Sequence, residues 1–76
     1  MNKQEYTKKR RLLSAKLVEA REKAGLTQKQ VAETKIIAQS ELSKLENGAR
    51  KVDFIFLVEL AKLYNQPVTF FIPEKK

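Results

Sequence analysis

The sequence predicts an all-α fold, a bundle of five helices in one small domain, and three observations predict it. Apolar residues recur at helical spacing through segments that hold Pro and Gly only at their ends. Start and stop residues fall between those segments in the right order: Thr27 and Asp53 as caps, Gly25, Gly48 and Asn65 as left-handed stops, and Pro67 where simple continuation is forbidden. No segment sustains the alternation of a strand, and the β-branched residues are scattered. The domain is expected over residues 7–72, between a flexible polar N-terminus at 1–6 and a C-terminal tail at 73–76.

Helix 1 is expected over 7–24, with Leu13, Leu17, Ala20 and Ala24 toward the core and Lys16, Glu19, Glu22 and Lys23 outside that stripe. Gly25 ends it. Helix 2, from Gln28 to Thr34, opens on a capping box: the Thr27 hydroxyl can accept from the Gln30 N–H while the Gln30 side chain reaches back. Leu26 and Val31 flank the cap as a hydrophobic staple. Helix 3 is expected over 39–47 with Leu42 and Leu45 inward, closed by Gly48. Asp53 caps a fourth helix running to Tyr64, with Phe54, Leu57, Leu60, Ala61 and Tyr64 as its core stripe. A short fifth helix is expected from Val68 to Ile72.

Composition narrows the function. The 76 residues form a chain that buries only about 60% of its unfolded surface, so a partner subunit would add stability. Neither Cys nor His is present. A disulfide framework and a thiolate metal site are therefore excluded, no carboxylates stand at metal-ligand spacing, and no glycine loop could cradle a phosphate. No cofactor or metal is expected, and an enzyme is the weakest reading. No apolar run approaches the ~20 residues of a membrane span and no signal-peptide core is seen, so the chain is read as soluble and cytoplasmic, with no membrane partner.

The net charge is +7. It is unevenly placed: residues 1–11 carry +4 from five basic residues and Glu5, residues 12–34 carry +1, residues 35–51 carry +2, and residues 52–76 are neutral. Such asymmetry favours a polyanion, because each phosphate contact by Lys or Arg releases condensed counterions.

Residues 25–48, GLTQKQVAETKIIAQSELSKLENG, resemble the helix-turn-helix of the Cro-like, phage-repressor (XRE-type) transcriptional regulators. Gly25, Leu26, Thr27 and Gln28 open the match, Val31 and Ala32 fill its small apolar positions, and Gln39, Ser40, Leu42, Ser43, Leu45, Glu46 and Gly48 follow in register. Arg21 before it, and Asp53, Leu57, Leu60, Ala61 and Tyr64 after it, fit the first and fourth helices of that five-helix domain, so the resemblance covers residues 12–72.

That resemblance implies double-stranded DNA as partner, with one helix held against phosphates while the next presents its outward side chains to base edges in the major groove. Gln39, Ser40, Ser43 and Lys44 lie largely opposite Leu42 and Leu45 and are the candidate base contacts: Gln pairs with adenine, Lys donates to guanine, Ser serves either. Gln28, at the first turn of helix 2, takes a phosphate contact by resemblance, supported by the positive end of that helix. Lys29, Asn47, Arg50 and Lys51 are further phosphate candidates, Arg50 foremost among those after helix 3. Arg21 and Glu46 are expected to form the family's partly buried, structural ion pair.

The chain departs from the family in the turn. Ile36 stands where a glycine is usual, Lys35 where an apolar residue is usual, and Ala38 where a Ser or Thr cap is usual. A different turn backbone is expected, with Ile36 or Ile37 turned inward and the start of helix 3 open to a one-residue shift. Helix 4 carries apolar residues beyond its core stripe. Phe56, Leu63 and Phe70 are accordingly expected at a homodimer interface.

The function expected is a sequence-specific DNA-binding transcriptional regulator, acting as a homodimer on a two-fold operator. The alternative is a protein-interaction module, or an antitoxin-type protein that binds a protein partner with the same scaffold. A restriction-modification controller, a phage or plasmid repressor and an antitoxin all remain open, as does activation against repression.

Overall fold

The computed structural model describes residues 1–73. These residues form α1 (Lys3–Lys23), α2 (Gln28–Glu33), α3 (Gln39–Glu46), α4 (Phe54–Leu63) and a 3-10 turn (Val68–Phe71), with no strand among them. The all-α expectation holds, but the fifth helix is a single tight turn. Pro67 presets its entry at φ −71°, and the i→i+3 bonds from Phe70 N–H to Pro67 C=O and from Ile72 N–H to Thr69 C=O give the poorer geometry that keeps such turns short. Its buried residue is Phe71. Of the tail expected at 73–76, Pro73 is described and residues 74–76 lie outside the described residues.

Helix α1 begins four residues before its expected start. The Asn2 side chain accepts from the Glu5 N–H at 2.8 Å and the Glu5 carboxylate accepts from the Asn2 N–H at 3.3 Å, a capping box that also places an anion at the positive helix end. Most of the segment expected as a separate polar N-terminus at 1–6 is therefore helical. With 21 residues, α1 is about 31 Å long at 1.5 Å per residue, most of the 37 Å long axis of the molecule.

Leu17 and Ala20 of α1, Val31 of α2, Leu42 and Leu45 of α3, and Leu60 and Ala61 of α4 meet in one core with Ile37, Tyr64 and Phe71. Two sequence expectations fail at helix ends. Ala24 is exposed because it is the C-cap of α1, past the last turn that the core covers. Phe54, the first residue of α4, is 65% exposed, and Phe56 and Leu57 of the same turn are packed against the core instead.

The turn between α2 and α3 explains how the chain manages without the usual glycine. The left-handed residue is Lys35, at φ +68°, not Ile36. At the ends of α1, α3 and α4 the residue after the left-handed position donates its N–H to a carbonyl five residues back: Leu26 to Arg21, Ala49 to Lys44 and Gln66 to Ala61. At α2 the Thr34 hydroxyl takes over that bond. It donates to the Val31 carbonyl at 2.6 Å and accepts from the Ile36 N–H at 3.3 Å. Ile37 turns inward and is buried, Ile36 packs half-buried beside it, and α3 starts at Gln39 without a shift. Ala38 supplies no side-chain cap.

Candidate nucleic-acid interface

Helix α3 is held from below and offers its other face to solvent. Leu42 and Leu45 are fully buried, while Gln39, Ser40 and Lys44 are exposed and Ser43 is half-buried. The four base-contact candidates thus share the face opposite the core. Glu41, to which the sequence reading gave no role, lies among them and pairs with Arg50 and, at 4.0 Å, with Lys44. Its i, i+3 spacing from Lys44 was the available signal.

Glu46, at the last turn of α3, is a hub. Its carboxylate accepts from Arg21 Nε at 2.7 Å, from Arg21 Nη2 at 3.1 Å and from the Gln28 amide at 2.9 Å, and its side chain is only 5% exposed. Arg21 also donates Nη1 to the Leu26 carbonyl at 2.9 Å. One carboxylate therefore joins α1, α2 and α3. Its hydrogen bonds hold the Arg21 guanidinium above its ordinary pKa. The Gln28 amide nitrogen, expected near phosphate, is engaged here, which leaves the amide's remaining donor and its oxygen for other partners.

Beside this hub stands Tyr64, 2% exposed, whose Oη has no hydrogen-bond partner among the described residues. Burial pushes its hydroxyl up to about 12, the Glu46 charge adds to the shift, and Arg21 opposes it.

The remaining phosphate candidates divide. Lys29 and Lys51 are exposed, and Arg50 is exposed but held by Glu41. Asn47 caps α3, its Oδ1 accepting from the Ala49 N–H at 2.9 Å. Two α1 residues that the sequence reading passed over also bind this end of α3. Ser14 Oγ donates to the Leu45 carbonyl at 2.9 Å and Arg10 Nη2 to the Gly48 carbonyl at 3.2 Å, where a cation suits the negative helix end. Their spacing from Leu17 along one face of α1 was legible, but the carbonyls they reach are 31 and 38 residues away.

The expected interface residues Phe56, Leu63 and Phe70 are each half-buried against the core. Phe70 meets Phe71 edge-on, 5.2 Å between centroids, and lies under the ammonium groups of Lys16 and Lys23, 4.6 and 5.4 Å from its ring centre. The most exposed apolar side chains on α4 are Phe54 and Ile55, the latter 68% exposed. No helix among the described residues is long and apolar enough to cross a membrane.

A family model described as helix-turn-helix matches residues 17–71. The chain is also 45% identical over 53 residues to the HTH-type transcriptional regulator ImmR of Bacillus subtilis (strain 168), an alignment covering 70% of this chain and 42% of that protein. It thus spans less than half the length of that curated relative. No solved structure matches the chain.

Proposed function

We propose that this chain, which belongs to the helix-turn-helix family, is a sequence-specific DNA-binding transcriptional regulator that acts as a homodimer on a two-fold operator. The observation that carries this reading is α3 itself. Its Gln39, Ser40, Ser43 and Lys44 stand on the face opposite buried Leu42 and Leu45, which is what a helix needs in order to lie in a major groove and meet base edges. The transcriptional role named for the Bacillus subtilis relative supports the same reading.

In this assignment Gln28, Lys29, Asn47, Arg50 and Lys51 contact phosphates on either side of α3. Arg21 and Glu46 keep α3 in place. Phe56, Leu63 and Phe70 border the dimer interface, and exposed Phe54 and Ile55 supply apolar area for it.

The test begins with duplexes selected from a random pool, which defines the operator. Gln39→Ala and Lys44→Ala are then expected to relax preference at particular base pairs, each by about 1–3 kcal/mol. Equal weakening on operator and random DNA would overturn their assignment as readers.

A further inference from the structure

A cleft of about 320 Å³ separates the N-terminal half of α1 from the loop that follows α3. Tyr6, Leu13 and Val52 contribute apolar floor, and four cations line it: Lys9 and Arg10 from α1, Arg50 and Lys51 from the loop. Among the described residues no acidic side chain lines it, and of these four cations Glu41 of α3 reaches only Arg50. The two sides are already joined. Arg10 donates to the Gly48 carbonyl, and the Tyr6 ring centre is 5.9 Å from the Arg10 guanidinium and 6.0 Å from the Lys51 ammonium.

We propose that the α1 side of this cleft, Lys9 foremost and Arg10 beside it, binds the sugar-phosphate backbone of DNA lying just outside the half-site that α3 reads. The inference rests on the DNA-binding reading above and extends it to a part of the chain to which that reading gives no contact. Three features point to this occupant. The cleft is continuous with the loop of Arg50 and Lys51, so a strand that meets that loop runs into it. Three of its four cations, Lys9, Arg10 and Lys51, have no carboxylate partner among the described residues, Arg50 alone being paired with Glu41, and this surplus matches a polyanion. Residues 1–9 are all exposed, and the turns of α1 before Arg10 project about 10 Å past that anchor at 1.5 Å per residue. Such a contact carries no base information and adds affinity alone.

The experiment compares the full chain with its Lys9→Gln variant on two duplexes, one ending at the edge of the selected half-site and one extended by a further helical turn. Lys62→Gln removes the same charge from α4, outside the cleft lining, and serves as the control. On the longer duplex Lys9→Gln should bind about five- to tenfold more weakly near 0.1 M salt, with the salt slope lowered by about 0.9. The shorter duplex should show little difference, and discrimination between operator and random DNA should be unchanged. A Lys9→Gln/Arg10→Gln variant with the wild-type melting temperature should lose more of the gain from added length. Equal losses for Lys9→Gln and Lys62→Gln, or equal losses on both duplexes, would overturn the proposal while the regulator reading stands. Failure of the wild type to bind any duplex in a salt-dependent way would overturn both.

Discussion

Arg21 grips both carboxylate oxygens of Glu46, at 2.7 and 3.1 Å, across the boundary between α1 and the last turn of α3. Because the Gln28 amide shares the same carboxylate, its loss would release two other helices at once. Glu46→Ala is expected to cost about 3–5 kcal/mol, chiefly by leaving the Arg21 charge unpaired in a partly buried place. Thermal melting checks this. A variant that melts like the wild type yet fails to bind DNA would move Glu46 from the scaffold to the DNA surface.

The Thr34 hydroxyl makes a donor and an acceptor bond at the turn between α2 and α3. Thr34→Val keeps the shape and removes both, so it should lower stability by about 1–3 kcal/mol, while Thr34→Ser should stay near the wild type. Denaturant midpoints decide the matter. An unchanged midpoint for Thr34→Val would show that Ile37 burial alone holds the turn.

Tyr64 makes stability depend on alkaline pH. Its hydroxyl loses its proton near 10.0 in an unfolded chain and at about 12 in the folded one, so between those values the native state binds more protons. The contribution is complete below pH 10 and disappears as pH climbs through 12. Tyr64→Phe should remove roughly 1–3 kcal/mol of that decline and change stability little at pH 7. Parallel unfolding curves for the two proteins from pH 8 to 12 would contradict this.

Arg50 is paired with Glu41, which predicts opposite effects from the two partners. Arg50→Ala should weaken binding across sequences and lower the salt slope by about 0.9. Glu41→Gln should free the guanidinium and strengthen binding to operator and random duplexes alike. Binding titrations at several salt concentrations test both, and an unchanged slope for Arg50→Ala would return it to the solvated surface.

Dimerisation through α4 is best tested at Ile55, whose exposure makes substitution harmless to the core. The wild type should sediment as a dimer at micromolar concentration, and Ile55→Asp as a folded monomer that binds single half-sites weakly, because linked modules gain affinity through effective concentration. Phe70→Asp should break the dimer too, but at a cost in melting temperature from its contacts with Phe71 and α1. A wild-type monomer that still binds a palindrome tightly would place the interface elsewhere.

Much of the architecture was legible because its signals are local. Thr27 with Gln30, Asp53 with the Phe56 N–H, and the three left-handed positions at Gly25, Gly48 and Asn65 all act within a few residues and sit where the sequence places them. Asn2 with Glu5 is the same kind of signal and was passed over, at the expense of a full turn of α1. The phase of α3 was readable from Leu42 and Leu45, which is why its outward face was too. Contacts that close long loops were not: neither the Gln28 bond to Glu46 nor the Ser14 bond to Leu45 has a periodicity. The Arg21–Glu46 pair was reached by family resemblance. Phe54 misled because periodicity assigns a stripe and not the residue within a turn that the core reaches: Phe56 and Leu57 are packed and Phe54 at the helix start is exposed.

The left-handed lysine at position 35 has a mechanical consequence. An L residue at φ +68° lies in a narrow conformational well, and here it is clamped on one side by the Thr34 hydroxyl and on the other by buried Ile37. The linkage between α2 and α3 is consequently stiff where glycine would have made it compliant. On the regulator reading, the two helices meet a duplex as one unyielding block, and any misfit must be absorbed by bending or twisting of the nucleic acid. Affinity would then depend on how readily base steps that no side chain touches can deform.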